Sequence, residues 1–182
     1  MNDRNRRLNA SDELERARRL MRSADWMLAE GLCEEAVSSA YYAAHHAARA
    51  LLFSLGLEVR SHGGLRSLLA EHFERPGHLP RGSVKTLKDA LEARMSADYG
   101  VRVHFSRAEA ERWVRWSRQF VDTAANHLAP FFASSPDDAG PSSVREPRVR
   151  YRPSTGSGRV LKRTRKTPVK SVRQGPVRKR TT

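Results

Sequence analysis

Apolar residues recur along the chain at intervals of three and four positions, the spacing that places side chains on one face of an α-helix. The first stripe comprises positions 14, 17, 21, 24 and 28, and Ser11, which precedes it, is a residue type that caps helices. A second segment, from about residue 34 to 55, is apolar on nearly every face, which is typical of a helix in the middle of a domain. No segment shows the period-2 alternation of a strand.

Three further helices follow from the same pattern. Ser61 can cap a third helix that stops before a Pro-Gly pair, and a fourth runs from about Ser83 towards Tyr99. The fifth begins at Ser106, where Ser-Arg-Ala-Glu fits a capping box, and Pro130 is expected to help close it. Five helices joined by short loops predict an all-α fold, a compact five-helix up-and-down bundle with antiparallel sequential neighbours.

Positive charge is concentrated at the end of the chain. Residues 134–182 contain fourteen Lys or Arg against three acids and so carry +11 of the total +14, whereas residues 1–133 carry only +3. All Trp and Phe residues lie in residues 1–133, and Tyr151 is the only aromatic beyond them. The apolar surface of residues 134–182 is too small to offset the loss of conformational entropy on folding. We therefore predict a helical domain at 1–133 and a disordered basic tail at 134–182.

Composition also limits the cellular compartment and the kinds of binding site that are expected. Cys33 is the only cysteine, which excludes an intrachain disulfide and favours a reducing compartment. The N-terminus is polar, and no run approaches the about 18 apolar residues of a membrane span. The seven histidines are scattered without the paired spacing of metal ligands. The sequence predicts a cytoplasmic protein with no membrane partner, no metal and no cofactor.

The fourth helix carries two charged residues at positions expected to face the core. Its apolar stripe at 84, 87 and 91 continues at Arg94 and Asp98, which are four residues apart and close enough to pair. A charge moved out of water is costly unless it is paired or hydrogen-bonded. These two residues are therefore expected in a cleft, at an interface, or in an internal ion pair that only fixes helix packing.

The second and third helices offer further candidates. Tyr42, His46, Arg49 and Phe53 share one face of the second helix, so an imidazole and a guanidinium one turn apart can provide proton transfer and phosphate binding. In the alternative interpretation, His46 fills a buried polar position and Arg49 extends to the surface. His62 lies at the start of the third helix, where free N–H groups favour an anion.

The tail contains two clusters of basic residues that are suited to binding phosphate. Arg and Lys spaced by Pro, Val and Thr neutralise phosphates without reading bases. The tail is therefore predicted to bind RNA or DNA, and the alternative is a solubilising extension with no specific target. The candidate residues are Lys162, Arg163, Arg165, Lys166, Arg178, Lys179 and Arg180.

Three segments in this order carry a resemblance to a known family: residues 39–52 (SAYYAAHHAARALL), 60–65 (RSHGGL) and 94–100 (RMSADYG). Over about residues 11–128 the chain resembles the HEPN superfamily and, more narrowly, the small UPF0332 proteins. The resemblance implies a helical bundle that forms a homodimer. It also implies a small nucleotidyltransferase as the antitoxin partner in a toxin–antitoxin pair.

The same resemblance implies a site. Active members of the superfamily are metal-independent ribonucleases whose signature is an Arg followed, after four to six residues, by a His, at a cleft formed by the dimer. Here Arg94 occupies the arginine position, but the window after it holds Tyr99, Gly100 and Val101, and His104 comes too late. The motif is therefore incomplete.

The candidate catalytic residues follow from this comparison. Arg94 can stabilise charge, Tyr99 can donate a proton beside Asp98, and His46 or His62 substitutes for the missing histidine if the fold brings one of them beside Arg94. The chain is thus interpreted as the toxin-like or RNA-binding half of such a pair, with endoribonuclease activity left open. The alternatives are a non-catalytic dimeric interaction module tethered to nucleic acid by the tail, and a sequence-independent nucleic-acid binder in which the bundle only dimerises.

Overall fold

The computed structural model describes residues 1–99 and 104–134. These residues form five α-helices and no strand: α1 (Asp3–Ala29), α2 (Cys33–Ser54), α3 (His62–Leu69), α4 (Ser83–Tyr99) and α5 (Arg107–Ala133). One π-helical turn, Ala70–Glu74, continues α3. Within these ranges none of the helices has the length and apolar character needed to span a bilayer. The predicted all-α fold is confirmed, while the tail clusters lie outside the described residues.

Helix α2 is the central element, as its all-round apolar pattern predicted. It contacts α1, α4 and α5, and its alanines at 36, 40, 43, 44, 47, 48 and 50 are fully buried. Such small side chains allow neighbouring backbones to approach closely. One result of this close approach is the hydrogen bond that Ser39 Oγ donates to the Leu20 carbonyl oxygen of α1 at 2.9 Å. This contact fixes the relative position of α1 and α2, which carry much of the candidate site.

Helix α1 begins about two turns earlier than the sequence predicted. The cap is Asn2 rather than Ser11, which lies inside the helix on its exposed face. Arg6 and Arg7 hold the additional turns in place by donating hydrogen bonds to backbone carbonyls at the ends of α2 and α5. Because these acceptors lie far away in the chain, local propensity around Ser11 does not reveal the true start of the helix.

Helix α5 begins as predicted and ends later than predicted. The Ser106 side chain accepts from the Glu109 N–H at 3.3 Å, and the Glu109 carboxylate accepts from the Ser106 N–H at 2.9 Å, which completes the capping box. Pro130 was expected to help close the helix but lies inside it. The missing N–H of a proline removes one backbone hydrogen bond, while Phe131 and Phe132 beyond it still pack on the core.

Replacing Ser106 by alanine is expected to lower the free energy of unfolding by about 1 kcal/mol, because the hydroxyl that accepts from the Glu109 N–H and donates to the Glu109 carboxylate is lost. Urea denaturation measures this change. The matched control is Ser11→Ala, which replaces an exposed serine inside α1 and is expected to change stability by less than about 0.5 kcal/mol. A loss of about 1 kcal/mol in the control would show that Ser11, not Asn2, caps α1.

Candidate functional site

Three titratable side chains meet where α2 passes the start of α3. The Tyr41 hydroxyl lies 2.9 Å from His62 Nδ1. The ring of His45, one turn further along α2, has its centroid 4.9 Å from that of His62 and 5.8 Å from that of Tyr41. Ser61 caps α3 by accepting from the Gly64 N–H at 3.1 Å, which places His62 at the first position of the helix. We call Tyr41, His45 and His62 the Tyr41 cluster.

Burial keeps the central imidazole of this cluster uncharged. Burial is the largest cause, and together with the charges of His62, His46 and Arg49, and against the opposing charge of Glu13, it lowers the pKa of His45 from 6.5 to about 4. Burial of an imidazole disfavours its charged form because the cation loses its hydration. At neutral pH His45 therefore has a lone pair free to accept a proton.

The phenol of the cluster stays protonated. Burial raises the pKa of Tyr41 to about 12, and Tyr42 beside it acts in the same direction. The positive charges of Arg94 and Arg66 act in the opposite direction and lower this pKa, by less than burial raises it. Tyr41 is thus a hydrogen-bond donor in an environment that contains two cations.

Arg94 lies beside the cluster on α4. Its guanidinium carbon is 5.0 Å from the centroid of the Tyr42 ring, and its Nη2 is 2.7 Å from Oδ2 of Asp98. The side chains of Arg94 and Asp98 are 17% and 27% exposed, so the i,i+4 pair expected from the sequence forms in a largely covered position. An aromatic face and a carboxylate together restrict the orientation of a guanidinium.

His46 and Arg49 meet a residue that sequence reasoning did not select. Glu13 of α1 lies 2.5 Å from His46 Nδ1 through one oxygen and accepts from Arg49 Nε at 2.9 Å through the other. Burial raises the pKa of Glu13, but the hydrogen bond with His46 and the charge of Arg49 outweigh it, so this pKa lies below its usual value. The three side chains form an ionic bridge between α1 and α2.

The structure separates the candidates of the sequence into two groups. His62 contacts Tyr41, and Arg94, which pairs with Asp98, lies over the ring of Tyr42 next to Tyr41, whereas His46 is held by Glu13. Arg49 lies with His46, and the Tyr99 side chain, Gly100, Val101 and the seven tail residues lie outside the described part of the chain. His104, which the motif spacing placed too late, is exposed and lies 3.4 Å from Glu34.

Sequence reasoning missed Tyr41 and His45 as site residues. The apolar pattern assigned Tyr41 to the core, where its ring does lie, at 3% exposure. The available signal was the spacing of four between Tyr41 and His45, which places both on one face of α2. Their closeness to His62 depends on how α2 and α3 pack.

Replacing Asp98 by alanine is expected to lower the free energy of unfolding by about 1–2 kcal/mol, and by more than Arg94→Leu does, because a largely covered guanidinium then loses that carboxylate. Thermal melts of the two variants test the order. Asp89→Ala is the matched control, since it breaks an i,i+4 pair with exposed Lys85 and is expected to cost less than about 0.5 kcal/mol. A larger loss for Arg94→Leu would contradict the role of the pair.

The Tyr41 cluster and Arg94 contain the kinds of side chain that cleavage of RNA requires. Cleavage of RNA through its 2′-hydroxyl needs a proton acceptor, a proton donor and a cation for the charge that develops on the phosphate. The uncharged His45, the protonated Tyr41 and the positively charged Arg94 are side chains of these three kinds. Among the residues that the structure describes, no group of three or more His, Cys, Asp or Glu side chains is placed to hold a metal ion.

Comparison with known proteins places the chain in a family. The HEPN domain model matches residues 10–128. The UPF0332 protein glr0978 of Gloeobacter violaceus is 34% identical over 119 residues, covering 65% of this chain and 94% of that relative, and a UPF0332 protein of Archaeoglobus fulgidus is 34% identical over 119 residues, covering 63% and 94%. The "Putative toxin MJ0605" of Methanocaldococcus jannaschii is 30% identical over 91 residues, covering 50% and 67%. This chain therefore belongs to the HEPN domain family, as a UPF0332-like member.

Proposed function

We propose that this chain is the toxin-like half of a toxin–antitoxin pair and that it binds and cleaves RNA at the Tyr41 cluster beside Arg94. The observation that carries the proposal is the 2.9 Å contact between Tyr41 and His62, with the His45 ring packed against both. In this proposal the cluster provides the histidine that the sequence lacks in the window after Arg94. The toxin-like part has independent support from the name of the relative in Methanocaldococcus jannaschii.

Each side chain has a role in the proposed reaction. His45 accepts the proton of the 2′-hydroxyl as its oxygen bonds to phosphorus, and Tyr41 donates a proton to the 5′-oxygen as the bond from phosphorus to that oxygen breaks. Arg94 stabilises the negative charge on the phosphate in between. In the Nδ1–H tautomer His62 donates to the Tyr41 oxygen at 2.9 Å, which orients the hydroxyl and leaves its own proton for the 5′-oxygen. The products are a 2′,3′-cyclic phosphate and a 5′-hydroxyl end.

The partners belong to the same proposal. The family resemblance supports a homodimer and a small nucleotidyltransferase as the antitoxin, in the cytoplasm. The charge of +11 in residues 134–182 supports binding of RNA or DNA through the tail. A reading frame for a small nucleotidyltransferase beside that of this chain would strengthen the assignment of the partner.

Incubation of RNA with the purified full chain, with and without a chelator, tests the proposal. Cleavage that survives the chelator, produces cyclic phosphate ends and is lost in Arg94→Ala supports it. Equal cleavage by the wild-type chain and the variant would overturn it, because the activity would then come from a contaminating nuclease.

A non-catalytic interaction module is the second candidate function. Six large apolar side chains of the described residues are exposed, among them Trp26 at 59%, Leu8 at 52% and Met95 at 50%, which favours contact with another protein. This candidate predicts a stable complex with a partner chain and RNA that stays intact in the same incubation.

A further inference from the structure

A cleft between α1 and α2, separate from the Tyr41 cluster, is lined mainly by hydrogen-bond donors. Its volume is about 370 Å³, within the range of small-ligand sites. The side chains that line it are Arg16, Arg19, Leu20, Ser23, Tyr42 and His46. Two guanidinium groups, two hydroxyls and an imidazole thus face one space.

Helix geometry explains why these residues converge. Positions 16, 19, 20 and 23 follow the spacing of one face of α1, and positions 42 and 46 are one turn apart on α2. Two contacts between the helices set these faces opposite each other: Ser39 donates to the Leu20 carbonyl, and Glu13 holds His46. The cleft is therefore built by the packing of α1 against α2, the most extensive helix pair among the described residues, rather than by a loop.

The charges around the cleft favour an anion. Arg16 and Arg19 supply positive charge, and the carboxylates of Glu13 and Glu15 line the adjoining cavity that shares these arginines rather than the cleft itself. Arg19 pairs with Glu15 at 2.6 Å, but both side chains are more than half exposed, so the pair is worth little in water. Glu13 occupies Nδ1 of His46, which leaves Nε2 as the other hydrogen-bonding atom of that ring.

We propose that this cleft is a phosphate subsite, which holds a backbone phosphate of the RNA strand next to the one being cut. The subsite rests on the proposed function, because Tyr42 links the cleft to the proposed site of cleavage at Arg94. The Tyr42 ring lies against the Arg94 guanidinium at 5.0 Å and also lines the cleft. A strand whose scissile phosphate lies at Arg94 can therefore pass Tyr42 and place a neighbouring phosphate between Arg16 and Arg19.

Binding of short RNA to the full chain tests the subsite. The probes are fluorescein-labelled oligonucleotides of increasing length with 2′-O-methyl groups, which cannot be cut because the attacking hydroxyl is blocked. The double variant Arg16→Ala/Arg19→Ala is compared with Arg18→Ala/Arg22→Ala, which removes the same charge from exposed positions of the same helix outside the cleft.

The first double variant is expected to bind about tenfold more weakly than the wild-type chain. Its plot of log affinity against log salt is expected to be shallower by about 0.7, the value for one lost phosphate contact on a single strand. The control double variant is expected to stay within twofold of the wild type. Equal losses in the two double variants would overturn the subsite, because they would report net charge alone.

A second measurement separates the subsite from the ribonuclease. Inorganic pyrophosphate is added to the full chain while the Nε–H signals of its arginines are followed by NMR. Saturable shifts of Arg16 and Arg19, without shifts of Arg18, support the subsite whether or not RNA is cleaved. Unchanged signals would overturn it, whereas failure of the proposed function is seen separately as equal RNA cleavage by wild type and Arg94→Ala.

Discussion

Replacing Arg94 by alanine is expected to lower the rate of RNA cleavage by a factor of about 10²–10³, the usual cost of removing one group that stabilises charge in the transition state. The guanidinium is held by Asp98 at 2.7 Å and by the face of Tyr42, so it is oriented before RNA binds. A charge positioned in advance needs no reorganisation during the reaction. The loss is therefore expected mainly in the rate of the chemical step, measured under single-turnover conditions.

Arg94→Lys shows whether charge alone is sufficient. Lysine keeps the charge but lacks the planar group that contacts an aromatic face and a carboxylate at once, so its rate is expected to lie between those of the wild type and the alanine variant. Arg115→Ala removes an exposed arginine of α5 and is the control for net charge. If Arg94→Ala cleaves RNA within threefold of the wild-type rate, Arg94 does not act in the reaction.

Acid is expected to destabilise the folded chain between pH 6.5 and pH 4, by about 3 kcal/mol at most from His45 alone. Burial holds the pKa of His45 at about 4 in the folded state, against 6.5 for the exposed side chain. In this window the unfolded chain binds a proton that the folded chain does not bind, so stability falls as the pH falls. A pKa difference of about 2.5 corresponds to about 3 kcal/mol.

Urea denaturation at pH 7 and pH 5 measures this effect, and the His45→Gln variant is expected to lose much of the difference. His127 contributes with the same sign, because burial and the charge of His78 lower its pKa, so His127→Gln serves as a comparison. The pKa of Glu13 is lowered in the folded chain, so Glu13 contributes to this loss of stability only as the pH falls below the usual pKa of a glutamate. Equal pH dependence of the wild type and His45→Gln would contradict the burial of a neutral imidazole.

The sequence by itself determined the features that depend on local spacing. The helical period predicted the five helices, the all-round apolar pattern placed α2 at the centre, and the capping box located the start of α5. The pair of Arg94 and Asp98 was predictable for the same reason, since residues four apart on a helix always lie close together. The three family motifs identified the HEPN resemblance, which the match over residues 10–128 confirmed.

Only the tertiary structure decided which distant residues share a site. Tyr41 and His62 are 21 positions apart in the chain, and Glu13 and His46 are 33 positions apart. Whether such residues meet depends on the packing of whole helices, which periodicity within one helix does not specify. The packing of α2 and α3 for this reason brings His45 and His62 together beside Tyr41, while His46, a candidate from its own helix face, lies instead with Glu13.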